Sequence, residues 1–443
     1  MAYLPSFRLL SERNFGLLWL AGLISILGDW ALRVALPFYV LRLTASASAV
    51  SVVVLAGLVA GLAAGPFAGV IVDRLDRRRV LVWANAAQAA ALIPVAICGP
   101  ATPTWLAAAV AAVESALAEV AGPAASALLP RLVLASQVAT ANSLDGVANF
   151  TGRLVGPAIG GLVTATAGLT GSAAVDSSSF AAAALAYALI TGRYRPAAKR
   201  GQDPDKPASL ARTARVARLA RELADGVTVI AGSRLARAVM IFIVVISIGE
   251  GMMSSLFAVW VSRALHLGGR EMGWMLSAQA IGGIVGSVAG TGAIRRCRPV
   301  GLGCICMCLF GIGDLAIFNA PRWHTALWPL IALFCGIGIP AGIGYPALLT
   351  LFQLSCTDGY RGRMFALLGT AETAANIVGA AVAGTLGQSV SAVDLLTAQG
   401  AGFVLGAGLL RVLAGSGPRR LAEMTAEPRI TGRRTGQTRS PSS

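Results

Sequence analysis

The segment ISILGDWALRVALPF, from Ile24 to Phe38, is almost wholly apolar and yet contains Asp29 and Arg33. It lies within an apolar run, residues 15–41, that is long enough to cross a hydrocarbon core of about 30 Å. A charge at mid-membrane costs on the order of 2.5–3.5 kcal/mol, and such residues normally line a polar cavity or pair with each other. Arg33 lies one helical turn after Asp29, so a purely structural ion pair is the alternative to a functional site.

The composition of the whole chain is that of a polytopic membrane protein. Its 443 residues are 56% hydrophobic and only 13% charged, and the mean hydropathy is +0.72. A soluble domain has about 25% charged residues. The net charge of +16 does not indicate nucleic-acid binding, because the arginines lie in gaps between apolar runs and form no patch among aromatic residues. The first run is too long for a signal-peptide core, so we expect an uncleaved first span.

The apolar runs predict an all-α membrane protein with twelve transmembrane helices in two six-helix halves. The expected spans are 15–41, 47–72, 80–99, 104–126, 144–167, 171–192, 238–263, 271–293, 300–319, 326–352, 364–388 and 393–413. This pattern divides the chain into an N-terminal half (1–192), a linker (193–237), a C-terminal half (238–413) and a disordered basic tail (414–443). An arginine stripe in the linker predicts an amphipathic helix on an anionic membrane surface, and a solvated linker helix fits equally well.

The arginines also predict an orientation. If the N-terminus is cytoplasmic, the inner gaps, the linker and the tail contain most of the arginines. The outer gaps then hold only Arg42, Arg263, Arg270 and Arg322. This asymmetry is the positive-inside pattern. We therefore expect a multi-pass protein of the cell (plasma) inner membrane with both termini in the cytoplasm.

The two halves resemble copies of one another. Gly28 and Asp29 match Gly249 and Glu250, 221 residues further along the chain. Glycine is abundant in this sequence, so the matching acid inside two apolar runs is the more informative part of the repeat.

The segment GVIVDRLDRRRV, from Gly69 to Val80, resembles the motif between the second and third helices of the major facilitator superfamily. The resemblance implies that Gly69 allows close helix packing and that Asp73 pairs across the interface between the halves. The cytoplasmic arginines of the motif would be Arg74, Arg77 and Arg78. The family usually has glycine at the position of Asp76, and aspartate tolerates left-handed turn geometry. A positive-inside loop without a mechanism is the alternative.

The segment GRLVGPAIGG, from Gly152 to Gly161, resembles the fifth-helix motif of proton-coupled drug exporters of that superfamily. Gly152, Gly156 and Gly160 would form a smooth face for close backbone contact, and Pro157 would bend the helix. The resemblance implies export more than import, and plain small-residue packing is the alternative.

Three further segments resemble the macrolide-efflux branch of the superfamily: RNFGLLW (13–19), ANSLDG (141–146) and DGYRGRMFAL (358–367). The resemblance covers roughly residues 13–413. Many drug antiporters of the family carry an arginine in the fourth helix, whereas this chain has Glu114 and Glu119 there. The role of that arginine does not carry over, and Arg153 in the fifth span is the candidate substitute.

The predicted site for proton coupling and substrate binding consists of the charged residues within the spans. These are Asp29, Arg33, Glu114, Glu119, Arg153, Glu250 and Glu372. We expect Asp29 and Glu250 to face each other across the cavity and to share the coupling. Asp176 and Asp314 lie near the outer ends of their spans and are expected to touch water.

The sequence thus predicts a secondary active transporter that exports amphipathic small molecules, such as macrolide-like antibiotics, drugs or secondary metabolites, by proton antiport. Its expected partners are the substrate, protons and membrane lipids, and we expect a monomer without cofactor or metal. Neither lysine follows a P-loop pattern and no G-x-S-x-G is present, so we expect no enzyme. An exporter of siderophores or other metabolites, an importer of the same fold, and a non-transporting membrane sensor or assembly protein are the alternatives.

Overall fold

The computed structural model describes residues 8–192, 194, 227–228, 230–296, 299–323, 325–355 and 361–414, and these residues contain helices but no strand. The long helices are α1 (Arg13–Thr44), α2 (Ala47–Arg74), α3 (Arg77–Cys98), α4 (Thr104–Leu132), α5 (Val138–Leu189), α6 (Arg234–Arg263), α7 (Gly269–Arg296), α8 (Pro299–Asn319), α9 (Leu327–Leu354), α10 (Arg361–Leu386) and α11 (Ala392–Ala414). Each of the eleven is long and apolar enough to cross a membrane. The predicted amphipathic helix of the linker and the tail from residue 415 lie outside the described residues.

Helix α5 contains two of the predicted spans. Its 52 residues would extend for about 80 Å if they were straight, more than twice the thickness of a hydrocarbon core of about 30 Å. The chain folds back at Gly168, whose φ of 61° and ψ of −155° belong to a region that essentially only glycine occupies. The arms 138–167 (α5a) and 169–189 (α5b) therefore cross separately. The prediction of twelve spans in two halves is confirmed.

Side-chain caps mark the start of three helices. Ser46, Asp76 and Ser233 each accept a hydrogen bond from the main-chain N–H three residues later. Such a bond satisfies one of the N–H groups that a helix leaves free in its first turn. Asp76 has φ −66° and ψ 117°, so the left-handed geometry considered for it is wrong. Aspartate is suited to this position because it caps α3.

The same helix pairs occur in both halves. In the first half α1 and α3 pack on α5, and α2 packs on α4. In the second half α6 packs on α10 and α11, α8 packs on α11, and α7 packs on α9. Helix for helix, these are equivalent pairs, so the repeat in the sequence is also a repeat of packing.

Large apolar side chains cover the outside of the bundle. Trp83, Ile97, Trp105 and Trp328 are each more than 70% exposed. Exposed apolar surface on this scale is unfavourable in water and is what a helix facing lipid presents.

The two halves contact each other at one end of the bundle, which we call the closed end. There the Ser48 hydroxyl donates to the Gly384 carbonyl, the Gln388 amide donates to the Ser48 hydroxyl at 2.8 Å, and the Arg263 guanidinium donates to the Ala45 carbonyl. These three hydrogen bonds join the halves at this end. The opposite end, which we call the basic end, carries the loops 75–76 and 133–137.

Candidate functional site

A cavity of about 910 Å³ lies between the halves, lined by α1 and α5a on one side and by residues of α6 to α11 on the other. Five of the seven predicted site residues line it: Asp29, Arg33, Arg153, Glu250 and Glu372. Its aromatic lining consists of Trp30, Phe150, Phe310, Tyr345 and Phe403. The cavity therefore combines charge with large apolar surface, the combination that binds an amphipathic ligand.

The first half contributes a preformed ion pair to the cavity. The Arg33 guanidinium lies 3.8 Å from the Asp29 carboxylate and 5.7 Å from the centre of the Trp30 ring. The Arg33 side chain is 65% exposed and the Asp29 side chain 30% exposed. The ion pair forms, and the Asp29 carboxylate is nevertheless accessible from the cavity.

The second half contributes two acids. The Tyr345 hydroxyl donates to the Glu372 carboxylate at 2.8 Å, and the Asn376 amide donates to the main-chain carbonyl of Glu372 at 2.9 Å. These bonds fix Glu372. Tyr345 also interacts electrostatically with Glu250 and with Arg153 of the first half, and all three side chains line the cavity.

The repeat is broken at the position of Arg33. Its counterpart, four residues after Glu250 and 221 residues after Arg33, is Ser254, whose hydroxyl donates to the Gly251 carbonyl of its own helix at 2.8 Å. Glu250 therefore has no equivalent of the cation beside Asp29. This difference is visible in the sequence one helical turn after the matched acids.

Two predicted residues of α4 are not among the lining residues of the cavity. One carboxylate oxygen of Glu114 is buried without a hydrogen-bond partner among the described residues. Glu119 is exposed and lies against α2, where a Cβ on Gly61 would be 3.7 Å from its Cγ.

The expectation that Asp176 and Asp314 touch water is wrong. Asp176 is 0% exposed and Asp314 is 3% exposed. Asp176 lies on α5b against α1, and Asp314 lies on α8 against Gly400 of α11. Their positions near helix ends suggested contact with water, but the neighbouring helices cover both side chains.

The glycines of the 152–161 segment place α5a directly on its neighbours. A Cβ on Gly152 would collide with Ile26, and one on Gly156 or Gly160 would collide with Trp30. At the closed end a Cβ on Gly161 would lie 2.6 Å from the Gly269 carbonyl of α7, and the Pro157 carbonyl faces Gly273 of the same helix. This segment thus joins α1 on one face and the second half on the other.

The segment 69–80 lies at the basic end. Asp73 and Arg74 are exposed, and Asp73 forms no ion pair or hydrogen bond with any described residue. The pairing of Asp73 across the halves stays a prediction, since it involves none of the described residues in this conformation, and a Cβ on Gly69 would meet nothing within 4 Å. Arg78 instead donates to the Tyr187 carbonyl at 3.1 Å and to the Ala188 carbonyl, both within the first half. Arg77 is half-buried.

The structure offers little for a metal. No group of three His, Cys, Asp or Glu side chains in the described ranges is placed to hold an ion. Cys304 and Cys306 are buried free thiols and Cys308 is a half-buried one.

Comparison with known proteins is consistent with this architecture. The family model of the Major Facilitator Superfamily matches residues 18–247 and again residues 239–431. The chain belongs to the major facilitator superfamily. It is therefore a multi-pass membrane transporter for a small-molecule substrate and not an enzyme, and the resemblance drawn from its motifs is confirmed.

Its curated relatives include drug efflux proteins. The multidrug efflux pump Tap of Mycobacterium tuberculosis (strain ATCC 25618 / H37Rv) and that of Mycobacterium bovis (strain BCG / Pasteur 1173P2) are each 29% identical over 385 residues, which is 84% of this chain and 86% of the relative. The macrolide efflux protein A of Streptococcus pyogenes is 26% identical over 179 residues, covering 40% of this chain and 44% of the relative.

Solved structures share the fold. A POT family transporter in complex with a thioalcohol-conjugated peptide has a TM-score of 0.71 at 11% identity, over 94% of this chain and 97% of that chain. A bacterial homologue of the iron transporter ferroportin in an inward-facing state has a TM-score of 0.67 at 16% identity, over 91% of this chain and 99% of that chain. Identities this low show the fold alone.

Proposed function

We propose that this protein exports amphipathic, cationic small molecules across the inner membrane in exchange for protons. The efflux activity in the names of its relatives supports export, and the acidic, aromatic cavity supports this class of cargo. Aromatic faces attract organic cations, and carboxylates neutralise them.

The observation that carries the proposal is the missing cation beside Glu250. Asp29 has Arg33 at 3.8 Å, whereas Ser254 occupies the equivalent place beside Glu250. An uncompensated charge in a low-dielectric site is costly. Glu250 is therefore stable in the cavity when it carries a proton or when a cationic substrate lies beside it. Because these two states exclude each other, proton and substrate compete for one carboxylate.

Asp29 takes part in the same competition under this proposal. A substrate cation near Asp29 competes with Arg33 for the carboxylate. When Asp29 takes up a proton, it releases both the substrate cation and Arg33. Asp29 and Glu250 thus share the coupling, as the repeat predicts. We infer that Arg153 and the Tyr345–Glu372 pair position the polar part of the cargo, because they line the same cavity.

The direction of transport depends on the orientation of the chain. We place the basic end in the cytoplasm because the arginines concentrate there. The closed end then faces outward, and the conformation is the one in which cargo enters from the cytoplasm. Reporter fusions at Arg200 and after Arg420 should both give a cytoplasmic signal, and an external signal at either position would contradict this orientation.

The transport test uses purified protein in lipid vesicles, with tetraphenylphosphonium as the cationic probe and an imposed pH gradient. The wild type should move the probe uphill against proton flow. Asp29→Asn should lose this uphill transport, and Glu250→Gln should lose affinity for the probe. Asp394→Asn, at an exposed acid paired with Arg322 at the closed end, is the matched control. Probe movement in the same direction as protons would make the protein an importer, and no probe movement at all would contradict transport of this class.

A further inference from the structure

Each half of the protein hides a second acid that the transport mechanism above does not use. Asp176 is 0% exposed and Asp314 is 3% exposed. Neither carboxylate oxygen of Asp176, nor Oδ2 of Asp314, accepts a hydrogen bond from a described residue. The hydroxyl of Ser179, which could reach Asp176, donates to the main-chain carbonyl of Asp176 at 2.8 Å.

Both hidden acids lie directly behind an acid of the cavity. A Cβ on Gly28, the residue before Asp29, would lie 3.1 Å from the Asp176 carboxylate, and Asp176 interacts electrostatically with both Asp29 and Arg33. In the other half Asp314 interacts electrostatically with Glu250. Gly249, the residue before Glu250, packs against Gln399, since a Cβ on Gly249 would lie 2.7 Å from it, and Asp314 packs against the next residue, Gly400.

The charges of the cluster around Asp176 do not balance unless some of its carboxyl groups are protonated. Asp29 and Arg33 face it from α1 and Glu114 faces it from α4. Helix α3 contributes the uncharged Gln88, whose amide donates to the main-chain carbonyl of Glu114 at 3.5 Å. Three carboxyl groups thus share one arginine. Arg33 pairs with Asp29, and an unpaired buried carboxylate is costly, so the two remaining acids, Asp176 and Glu114, are the ones that carry protons.

We propose that Asp176 is a proton-storage residue: it holds a proton behind the cavity wall and exchanges it with Asp29 during transport, and Asp314 stands behind Glu250 in the same way. This inference rests on the proposed proton antiport. In the exchange the O–H bond of Asp176 breaks and an O–H bond forms on Asp29, so the negative charge moves from Asp29 to Asp176. Arg33 interacts with both carboxyl groups and compensates whichever one is charged.

Infrared spectroscopy of the full-length protein in lipid vesicles tests the stored proton directly, because a protonated carboxyl group has a carbonyl band that a carboxylate lacks. The wild type at neutral pH should show such bands, and Asp176→Asn and Asp314→Asn should each lose one. Asp394→Asn, at an exposed acid, should lose none. A second experiment needs no substitution and uses wild-type protein whose aspartate side chains carry carbon-13 in the carboxyl group. At least one of the protonated-carboxyl bands must then shift with the isotope. Three results would overturn the proposal. They are the absence of any isotope-shifted band, unchanged bands in both variants, and loss of the protonated-carboxyl bands when sodium ions are added.

Transport of tetraphenylphosphonium on a pH gradient tests the exchange step. Asp176→Asn should reduce uphill transport by roughly tenfold, within the range of a typical coupling between two sites, while downhill exchange of the probe persists. Wild-type uphill transport by Asp176→Asn would overturn the exchange step and leave proton antiport intact. No pH-driven transport by the wild type would overturn antiport and the exchange step together.

Discussion

Ser254→Arg would give the second half of the protein the cation that Arg33 provides in the first. Ser254 follows Glu250 by four residues, as Arg33 follows Asp29, and residues four apart on a helix are neighbours on one face. The Ser254 side chain is exposed, so a longer side chain has room. The new guanidinium would form an ion pair with the Glu250 carboxylate in place of a cationic substrate. Binding of such substrates should therefore weaken.

The Asp29–Arg33 pair sets the size of the effect. At about 4 Å two unit charges interact by about 4 kcal/mol at an effective dielectric constant of 20, whereas exposed ion pairs contribute about 0.2–1 kcal/mol. Arg33 is 65% exposed at 3.8 Å from Asp29, so an equivalent pair at Glu250 lies between these limits, at about 1–2 kcal/mol. A substrate that must displace it should lose affinity by about 5- to 30-fold.

Equilibrium binding of tetraphenylphosphonium to purified protein measures this loss. Ser254→Gln is the matched control, because it lengthens the side chain without adding charge and should bind like the wild type. The loss for Ser254→Arg should also shrink at high salt. Wild-type affinity in Ser254→Arg, or an equal loss in Ser254→Gln, would refute the idea that an unpaired Glu250 binds the cationic group.

Three further predictions concern other parts of the fold. Asp73→Asn should insert normally but transport more slowly, because we expect Asp73 to pair across the halves in the opposite conformation. A wild-type transport rate would mean that the segment acts only as a topology signal. Asp76→Ala should lower the free energy of unfolding by at least about 1 kcal/mol, because it removes the cap of α3 and the acceptor of the Tyr194 main-chain N–H. Asp76→Asn, which keeps one acceptor oxygen for the cap, should lose less. Gly156→Ala should destabilise by about 1–3 kcal/mol through overpacking against Trp30, whereas Gly402→Ala, with open space around its Cβ, should be neutral or stabilising in the same thermal-shift assay.

The sequence predicted the spans well because length and hydropathy alone determine which segments can cross a membrane. The fold-back between the fifth and sixth spans was expected between residues 167 and 171, and it lies at Gly168. Boundaries were less accurate where a helix extends beyond the apolar run. Helix α5 begins at Val138, six residues before the predicted span, because polar residues continue the helix at the basic end.

The site was harder to predict than the fold. In a soluble helix a polar stripe shows which face points outward, but here the outward face is apolar too, so the sequence does not show which way a charged residue points. Asp29 and Glu250 both line the cavity, and the repeat in the sequence had paired them. No acid occupies the position in the second half that matches Asp176 in the sequence repeat. The burial of Asp176 depends on the packing of α5b against α1, which only the three-dimensional structure shows.

The difference between the halves matters most when the cavity closes. If both cavity acids had a fixed cation, neither carboxylate would be free to bind cargo. If neither had one, closing the empty cavity would bury two uncompensated charges. With Arg33 beside Asp29 and Ser254 beside Glu250, one uncompensated acid remains. The cavity can then close at low cost with a proton on Glu250 or with a cation beside it, but not with both absent. The proposed proton antiport requires this restriction, namely that the conformation changes only in these two loaded states.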